Sequence, residues 1–164
     1  HIMSKINLTI ELGSEYDFTD KIDQKITDVK IGGTIVEIAE EEGEVNDIEN
    51  INIVPEPSGK VKSITPFRTG TTPFSNNAGT ITRASATYEA VLIPQTIASG
   101  NFFISFKVDG KAYEWYYNEG LTLKATKAYV LKLTAGSDKI YSAAFSTKPW
   151  NVGNGENGEN KQTD

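Results

Sequence analysis

The sequence predicts an all-β fold, an antiparallel β-sandwich, and three observations predict it. Apolar residues recur at period two in several separate stretches, as on strands with one buried face. One of these stretches, Asn101 to Tyr117, carries a two-residue turn signal that folds it into a hairpin. Between the stretches lie turn residues, and almost no segment has helical periodicity.

The hairpin organises the rest. Asp109-Gly110 suits a type I′ turn, since both central residues must tolerate positive φ and the twist of that turn matches the flanking strands. The turn sets the register: Val108 faces Lys111, Phe106 faces Tyr113, Ile104 faces Trp115 and Phe102 faces Tyr117. Side chains alternate between faces. One face therefore carries Phe102, Ile104, Phe106, Val108, Tyr113, Trp115 and Tyr117. The other carries Ser105, Lys107, Ala112 and Glu114, with Phe103 and Tyr116 near the open end. So aromatic a face needs a second layer to cover it.

The remaining elements follow in order. Ser4 to Leu12 alternates, with Ile6, Leu8, Ile10 and Leu12 on one face and Lys5, Asn7, Thr9 and Glu11 on the other. Gly13 to Lys25 is polar, and Thr19-Asp20 is placed to cap a short helical turn carrying Ile22 and Ile26. A strand over Ile26 to Ile31 is broken or turned by Gly32-Gly33 and continues from Thr34 to Ile38. Asn46 to Ile53 reads as an edge strand and Lys60 to Thr65 as another, stopped by Pro66. Phe67 to Thr80, rich in Thr, Gly, Asn and Pro, reads as a long loop that crosses an end of the sandwich or carries binding. Ile81 to Ile93 reads as one long strand ended by Pro94. Leu121 and Leu123 lead to Tyr129, Leu131 and Leu133, and Lys139 to Phe145 is the last strand. The total is roughly seven to nine strands in one domain over residues 1–150. Residues 151–164, NVGNGENGENKQTD, form a Gly/Asn-rich tail whose composition cannot offset its ordering entropy, and it is expected to be mobile.

The 164 residues are enough for a hydrophobic core without staples. No cysteine is present, which rules out disulfides and thiolate chemistry. The net charge is −6 and arginine occurs only at Arg68 and Arg83, so the electrostatic footprint of a nucleic-acid binder is missing. No apolar run approaches the ~20 residues of a membrane-spanning helix. The start, His1-Ile2-Met3, has neither a signal-peptide core nor a lipobox, as in a cytosolic protein or one whose start has been trimmed.

Catalytic chemistry is poorly supplied. His1 is the only histidine, so a Ser-His-Asp triad, a Cys-His pair and a histidine-rich zinc site are unavailable. The acidic block Glu37 to Glu44 reads as a solvated loop; it lacks the regular Asp/Asn spacing of calcium loops. A glycosidase needs only two carboxylates. The chain has 22 acidic residues, but no motif places a pair. No catalytic residue, metal or cofactor is expected. Phe103 and Tyr116, with Trp115 and Tyr117 nearby, are candidates to stack on sugar rings; the alternative is that they cover an end of the core or a neighbouring strand.

The run from Thr87 to Trp115, TYEAVLIPQTIASGNFFISFKVDGKAYEW, resembles the fimbrillin family of Bacteroides-type bacteria. The resemblance rests on Ile93-Pro94-Gln95, Gly100, Phe103-Ile104, Phe106, Val108-Asp109-Gly110-Lys111 and Tyr113. It extends to Leu121-Thr122-Leu123, to Tyr129 through Leu133, and to Trp150 with its Gly/Asn-rich tail. The opening His1-Ile2-Met3-Ser4-Lys5-Ile6 looks like the strand that begins the second domain in these proteins, although it can also include cloning-site residues. The resemblance implies transthyretin-like β-sandwich domains in a secreted lipoprotein precursor. That precursor would become a fimbria subunit at the outer-membrane surface, or a cell-surface adhesin. It implies polymerisation by strand exchange, after a protease removes an N-terminal strand and opens a groove. The lipid anchor and the processed segment would lie upstream of this chain.

On this reading the partners are other pilin subunits or a surface ligand, and contact with a membrane runs only through that upstream anchor. The terminal strands Ser4 to Leu12 and Lys139 to Phe145 are the candidate edges for strand exchange, with Ile6, Leu8, Ile10 and Leu12 as alternating plugs. The plainer alternative is that Ser4 to Leu12 pairs within its own domain. Phe103 and Tyr116 are the candidate surface binding residues of a non-polymerising, glycan-binding adhesin.

Overall fold

The computed structural model describes residues 2–37, 54–57 and 59–150 of the chain. Most of the acidic block, the strand expected over Asn46 to Ile53 and the tail 151–164 fall outside them. Two packed sheets form the body. The first has five strands in the order β13-β12-β1-β7-β4. These are β1 (Ser4–Leu12), β4 (Phe67–Thr72), β7 (Ser85–Leu92), β12 (Lys127–Ala135) and β13 (Ile140–Pro149). The second has the order β10-β9-β2-β3, from β2 (Ile26–Ile35), β3 (Val61–Ile64), β9 (Phe103–Val108) and β10 (Lys111–Tyr116). Two small pairs complete the fold, β5 (Ser75–Asn77) with β6 (Thr80–Thr82) and β8 (Gln95–Ile97) with β11 (Leu121–Leu123). The described residues thus hold 13 strands, the excess over expectation coming from short pieces.

The organising hairpin is β9–β10, and its register pairs Val108 with Lys111, Phe106 with Tyr113 and Ile104 with Trp115. Asp109 and Gly110 both have positive φ, +49° and +84°, as a type I′ turn requires. Phe102 and Phe106 are among the largest fully buried side chains. They meet the alternating face of β1, where Ile6, Leu8, Ile10 and Leu12 are also buried, in one core shared by both sheets.

The all-β sandwich expected from the sequence is observed, and two strand assignments within it are corrected. One pairing departs from the antiparallel pattern: β1 runs parallel to β12, from Lys5↔Ala128 to Leu12↔Ala135. Parallel neighbours need only a long connection, and here most of the chain lies between them. Phe67 to Thr80 is not a loop but holds β4, β5 and the start of β6. Its Thr, Gly and Asn side chains stay largely on the surface, so pairing leaves no apolar alternation to read. The stretch Ile81 to Ile93 is not one strand. It breaks at Arg83-Ala84, where the Ala84 carbonyl accepts the Leu12 amide at 2.9 Å and Arg83 pairs with Asp17 at 3.4 Å.

Gly32-Gly33 does not end β2 but bends it. The register shifts there against β3, Gly33 has φ +87°, and a Cβ on it would lie 2.1 Å from the Asn101 carbonyl oxygen. The expected helical turn is a short 3-10 segment, Ile22–Lys25, with Ile22 and Ile26 buried as expected. Its cap is Lys21 in the left-handed region, with no side-chain capping bond.

Gln95 has a role that sequence pattern did not reveal. Its side-chain amide behaves as a ladder partner for the end of β2. Ile35 N–H donates to Oε1 at 2.9 Å, and Nε2 donates to the carbonyls of Ile35 at 3.0 Å and Ile93 at 3.1 Å. The side chain thereby ties the β8–β11 pair to the second sheet. Gln95→Ala would leave these partly buried backbone groups unpaired, at a cost of about 2–3 kcal/mol. Urea unfolding of the two chains measures the difference directly; a change within ±0.5 kcal/mol, as for an ordinary surface site, would contradict the role.

Candidate functional site

A sandwich has four margins, and each exposes backbone donors and acceptors unless something manages it. In the first sheet the margins are β4 and β13; in the second they are β3 and β10. β4 is irregular, with a register shift between Arg68 and Gly70. Arg68 lies opposite Tyr88, donates to its hydroxyl at 2.9 Å, and also donates to the Ile26 carbonyl on β2. That guanidinium, 5.4 Å from the Tyr88 ring centre, closes the seam between the two sheets. Burial holds the Tyr88 phenol above its ordinary value, with Arg68 acting in the opposite sense. β3 has only four residues, and β10 carries Lys111 and Glu114.

β13 is different. It is ten residues long, its one strand partner among the described residues is β12, and from Ile140 to Thr147 it has no charged side chain. Ala143 lies opposite Leu133 and Thr147 opposite Tyr129. Opposed residues share a face, so both point towards the core side, yet both are exposed while Leu133 and Tyr129 are buried. The core-side positions Ala143 and Thr147 are therefore left uncovered, although β10 lies close to β13 and is tied to the start of this margin by the Tyr113–Gly136 bond. Phe145 anchors the strand there, 5.0 Å from Tyr117 and 6.1 Å from Phe102 between ring centres, and Trp115 lies 5.8 Å from Tyr117. The result is a half-open, aromatic-floored margin with a long unbranched strand as its lip.

A second anchor holds the start of β13. Gly13 and Gly136 leave space for the Tyr141 ring: a Cβ on Gly136 would lie 2.3 Å from it. The Tyr141 hydroxyl donates to the Glu15 carboxylate. That bond lowers the Glu15 carboxyl below the ordinary carboxylate range and, with burial second, raises Tyr141 to about 12. Beside it, the Tyr113 hydroxyl donates to the Gly136 carbonyl at 2.6 Å and meets the Tyr16 hydroxyl at 2.5 Å. Burial first, then the bond to Tyr16, raises Tyr113 as well.

The placement of the remaining sequence-predicted residues is mixed. Ile6, Leu8, Ile10 and Leu12 are on the alternating face expected, but their strand is not an edge: β1 is hydrogen-bonded to β7 on one side and β12 on the other. The reason is that four alternate apolar side chains are best buried at the centre of a sheet, where both flanks supply neighbours. Phe103 and Tyr116 pair with each other on the outer face of the second sheet, ring centres 5.2 Å apart and planes at 33°. Phe103 lies across Gly32, where a Cβ would come within 2.1 Å of the ring, while Tyr116 is 48 % exposed. They are thus brought together, and half of the pair is spent covering β2.

The tyrosine cluster makes a pH prediction. Unfolded tyrosines ionise near pH 10. Tyr113 and Tyr141 hold their protons more tightly when folded, so their contribution to stability is complete below about pH 10; that of Tyr141 falls as pH rises through about 12, and that of Tyr113 falls at higher pH still. Glu15 has the opposite sense: its contribution is present above the ordinary carboxylate value and is lost as acid protonates it. Near-ultraviolet titration should show a late-ionising class of tyrosines that loses one member in Tyr141→Phe. All tyrosines titrating together near pH 10 in the folded chain would contradict this.

Comparison with known proteins places the fold. The profile of the Fimbrillin-like family matches residues 1–150. No curated protein matches the chain. A solved structure described as that of a cell adhesion protein from Bacteroides uniformis superposes with a TM-score of 0.61 at 17 % identity, over 92 % of this chain and 51 % of that one. Another, described as a cell adhesion protein from Bacteroides ovatus, superposes with a TM-score of 0.55 at 15 % identity, over 94 % of this chain and 47 % of that one. This chain therefore spans about half the length of each structural relative. With a match that runs from the first residue to the end of β13, the chain belongs to the Fimbrillin-like family.

Proposed function

We propose that this chain is one domain, the second of two, of a bacterial cell-surface fimbrial subunit, and that it joins its neighbours by strand addition along β13. The single observation that carries the reading is the free margin: ten residues, uncharged over eight, with aromatic floor beneath it. A strand laid beside β13 would gain backbone hydrogen bonds and would set alternate side chains next to the uncovered Ala143 and Thr147. Family membership and the double length of the structural relatives support the placement at the cell surface and the two-domain organisation. The role is structural and non-catalytic, with sibling subunits as partners and a lipid anchor upstream of this chain.

Exchange through β1 is the less favourable route. Burying one Ile or Leu side chain is worth about 1.5–3 kcal/mol, so withdrawing Ile6, Leu8, Ile10 and Leu12 forfeits on the order of 6–12 kcal/mol. That matches the whole stability of an ordinary domain, about 5–15 kcal/mol. An incoming strand at β13 displaces no strand among the described residues. A non-polymerising adhesin is the second reading, favoured by the exposed half of the Phe103–Tyr116 pair.

Electron microscopy of the full-length, processed protein tests the first reading with one variant. Ala143 is exposed, so Ala143→Lys leaves stability within about ±0.5 kcal/mol. It sets a charge on the uncovered face of β13, opposite Leu133. Filaments from the wild type and none from the variant are expected. Monodisperse wild-type monomers after processing, or filaments unaffected by Ala143→Lys, would contradict it.

A further inference from the structure

The pole opposite Met3 and Trp150 holds a cleft lined by the 13–25 loop and the end of β4. Both ends of the described domain meet at Thr126, whose amide donates to the Met3 carbonyl at 3.1 Å and whose carbonyl accepts the Trp150 amide at 2.8 Å. β1 leaves that pole and runs on the order of 30 Å before the chain enters the 13–25 loop. Inside this loop Phe18 and Lys21 both have positive φ, +67° and +51°. A bulky residue in that region is strained and persists only where its surroundings hold it. Asp17 supplies the hold through its pair with Arg83.

The consequence is that Phe18 stands 81 % exposed, edge-on to Phe74 at 4.8 Å between ring centres. The two rings border a cleft of about 440 Å³. Asp23 also lines it, and Asp23 is only 3 % exposed. Among the described residues no hydrogen bond or ion pair reaches its carboxylate. Its oxygens are not among the fully enclosed unpaired atoms, which among the described residues are Asp17 Oδ1 and Thr34 Oγ1, so the small exposed part of Asp23 remains open to a ligand. Around it stand Lys21, Gln24 and Thr71, which offer donors and acceptors, and Asp20.

The geometry points to a binding site for a neutral saccharide. An aromatic wall accepts the apolar C–H face of a pyranose. A buried carboxylate accepts hydrogen bonds from adjacent hydroxyls, and these charge-assisted bonds are the strong ones. Gln24, Thr71 and Lys21 can serve the ring and hydroxyl oxygens of a sugar, and Lys21 offsets one of the two carboxylates, Asp20 and Asp23, that line the cleft. Phe18, Pro73 and Phe74 supply the apolar part of a lining that is otherwise polar. The inference rests on the adhesive side of the reading above and is independent of strand addition. Loss of filaments in Ala143→Lys leaves it standing, and its own failure leaves assembly standing.

Saturation-transfer NMR on the whole chain tests it. The probes are glucose, galactose, mannose, fucose, N-acetylglucosamine and N-acetylgalactosamine, with an arginine-containing tripeptide as the cationic competitor. At least one sugar should bind, and Asp23→Asn and Phe18→Ala should each weaken it at least about tenfold, the scale of one lost charge-assisted bond or ring contact. Phe103→Ala with Tyr116→Ala should leave binding unchanged. Phe18 is exposed, so its variant folds even where Asp23→Asn does not. No sugar binding, sugar binding indifferent to Phe18→Ala, or tighter binding of the peptide than of any sugar would overturn the assignment.

Discussion

Everything in this domain depends on the two-sided pairing of β1. Its eight rungs to β12 run parallel and its eight to β7 antiparallel. Its four apolar side chains on the core face are the central row of the first sheet. Because β1 and β12 lie at opposite ends of the sequence, this one pairing closes the chain on itself. It also brings Met3 and Trp150 to the same pole. The second sheet then has only one place to dock, over that row, and the β9–β10 hairpin supplies the Phe102 and Phe106 that cover it.

With the centre fixed, the margins differ by chemistry. β4 is broken by a bulge and sealed by Arg68, a charge whose bonds to Tyr88 and Ile26 leave little room for a foreign strand. β13 has no comparable device over its first eight residues and is attached by its ladder to β12, by Phe145 and by the Tyr141–Glu15 bond. One molecule therefore presents a guarded side and an open side. That asymmetry is what directional, head-to-tail association requires of a repeating unit.

Much of this was legible in the sequence where local chemistry fixes geometry. Asp109-Gly110 sets a turn, the turn sets the register, and alternation from Phe102 to Tyr117 assigns the faces. Alternation in Ser4 to Leu12 shows which side chains are buried, but no local signal says which strands flank them, so an edge and an inner strand read alike. Phe67 to Thr80 was illegible for the opposite reason: its strands bury little, and exposed Thr and Gly pair through backbone and hydroxyl bonds such as Thr69–Thr87 without apolar alternation. The Gln95 side-chain ladder and the cleft between Phe18 and Phe74 join residues some fifty or sixty positions apart. Such juxtapositions exist only once the fold is formed. A single signal was available for the cleft, a phenylalanine inside a polar loop, and composition alone does not separate it from an ordinary exposed aromatic.

The contrast between a central β1 and an open β13 can be measured amide by amide. Hydrogen exchange followed by NMR on the isolated chain should place the β1 amides among the slowest, opening only with global unfolding. Along β13, protection should alternate, with amides facing β12 slow and the intervening ones exchanging like solvent-exposed groups. Uniform protection along β13 equal to that of β1 would mean that its outer side is already covered, and the account of a free margin would be wrong.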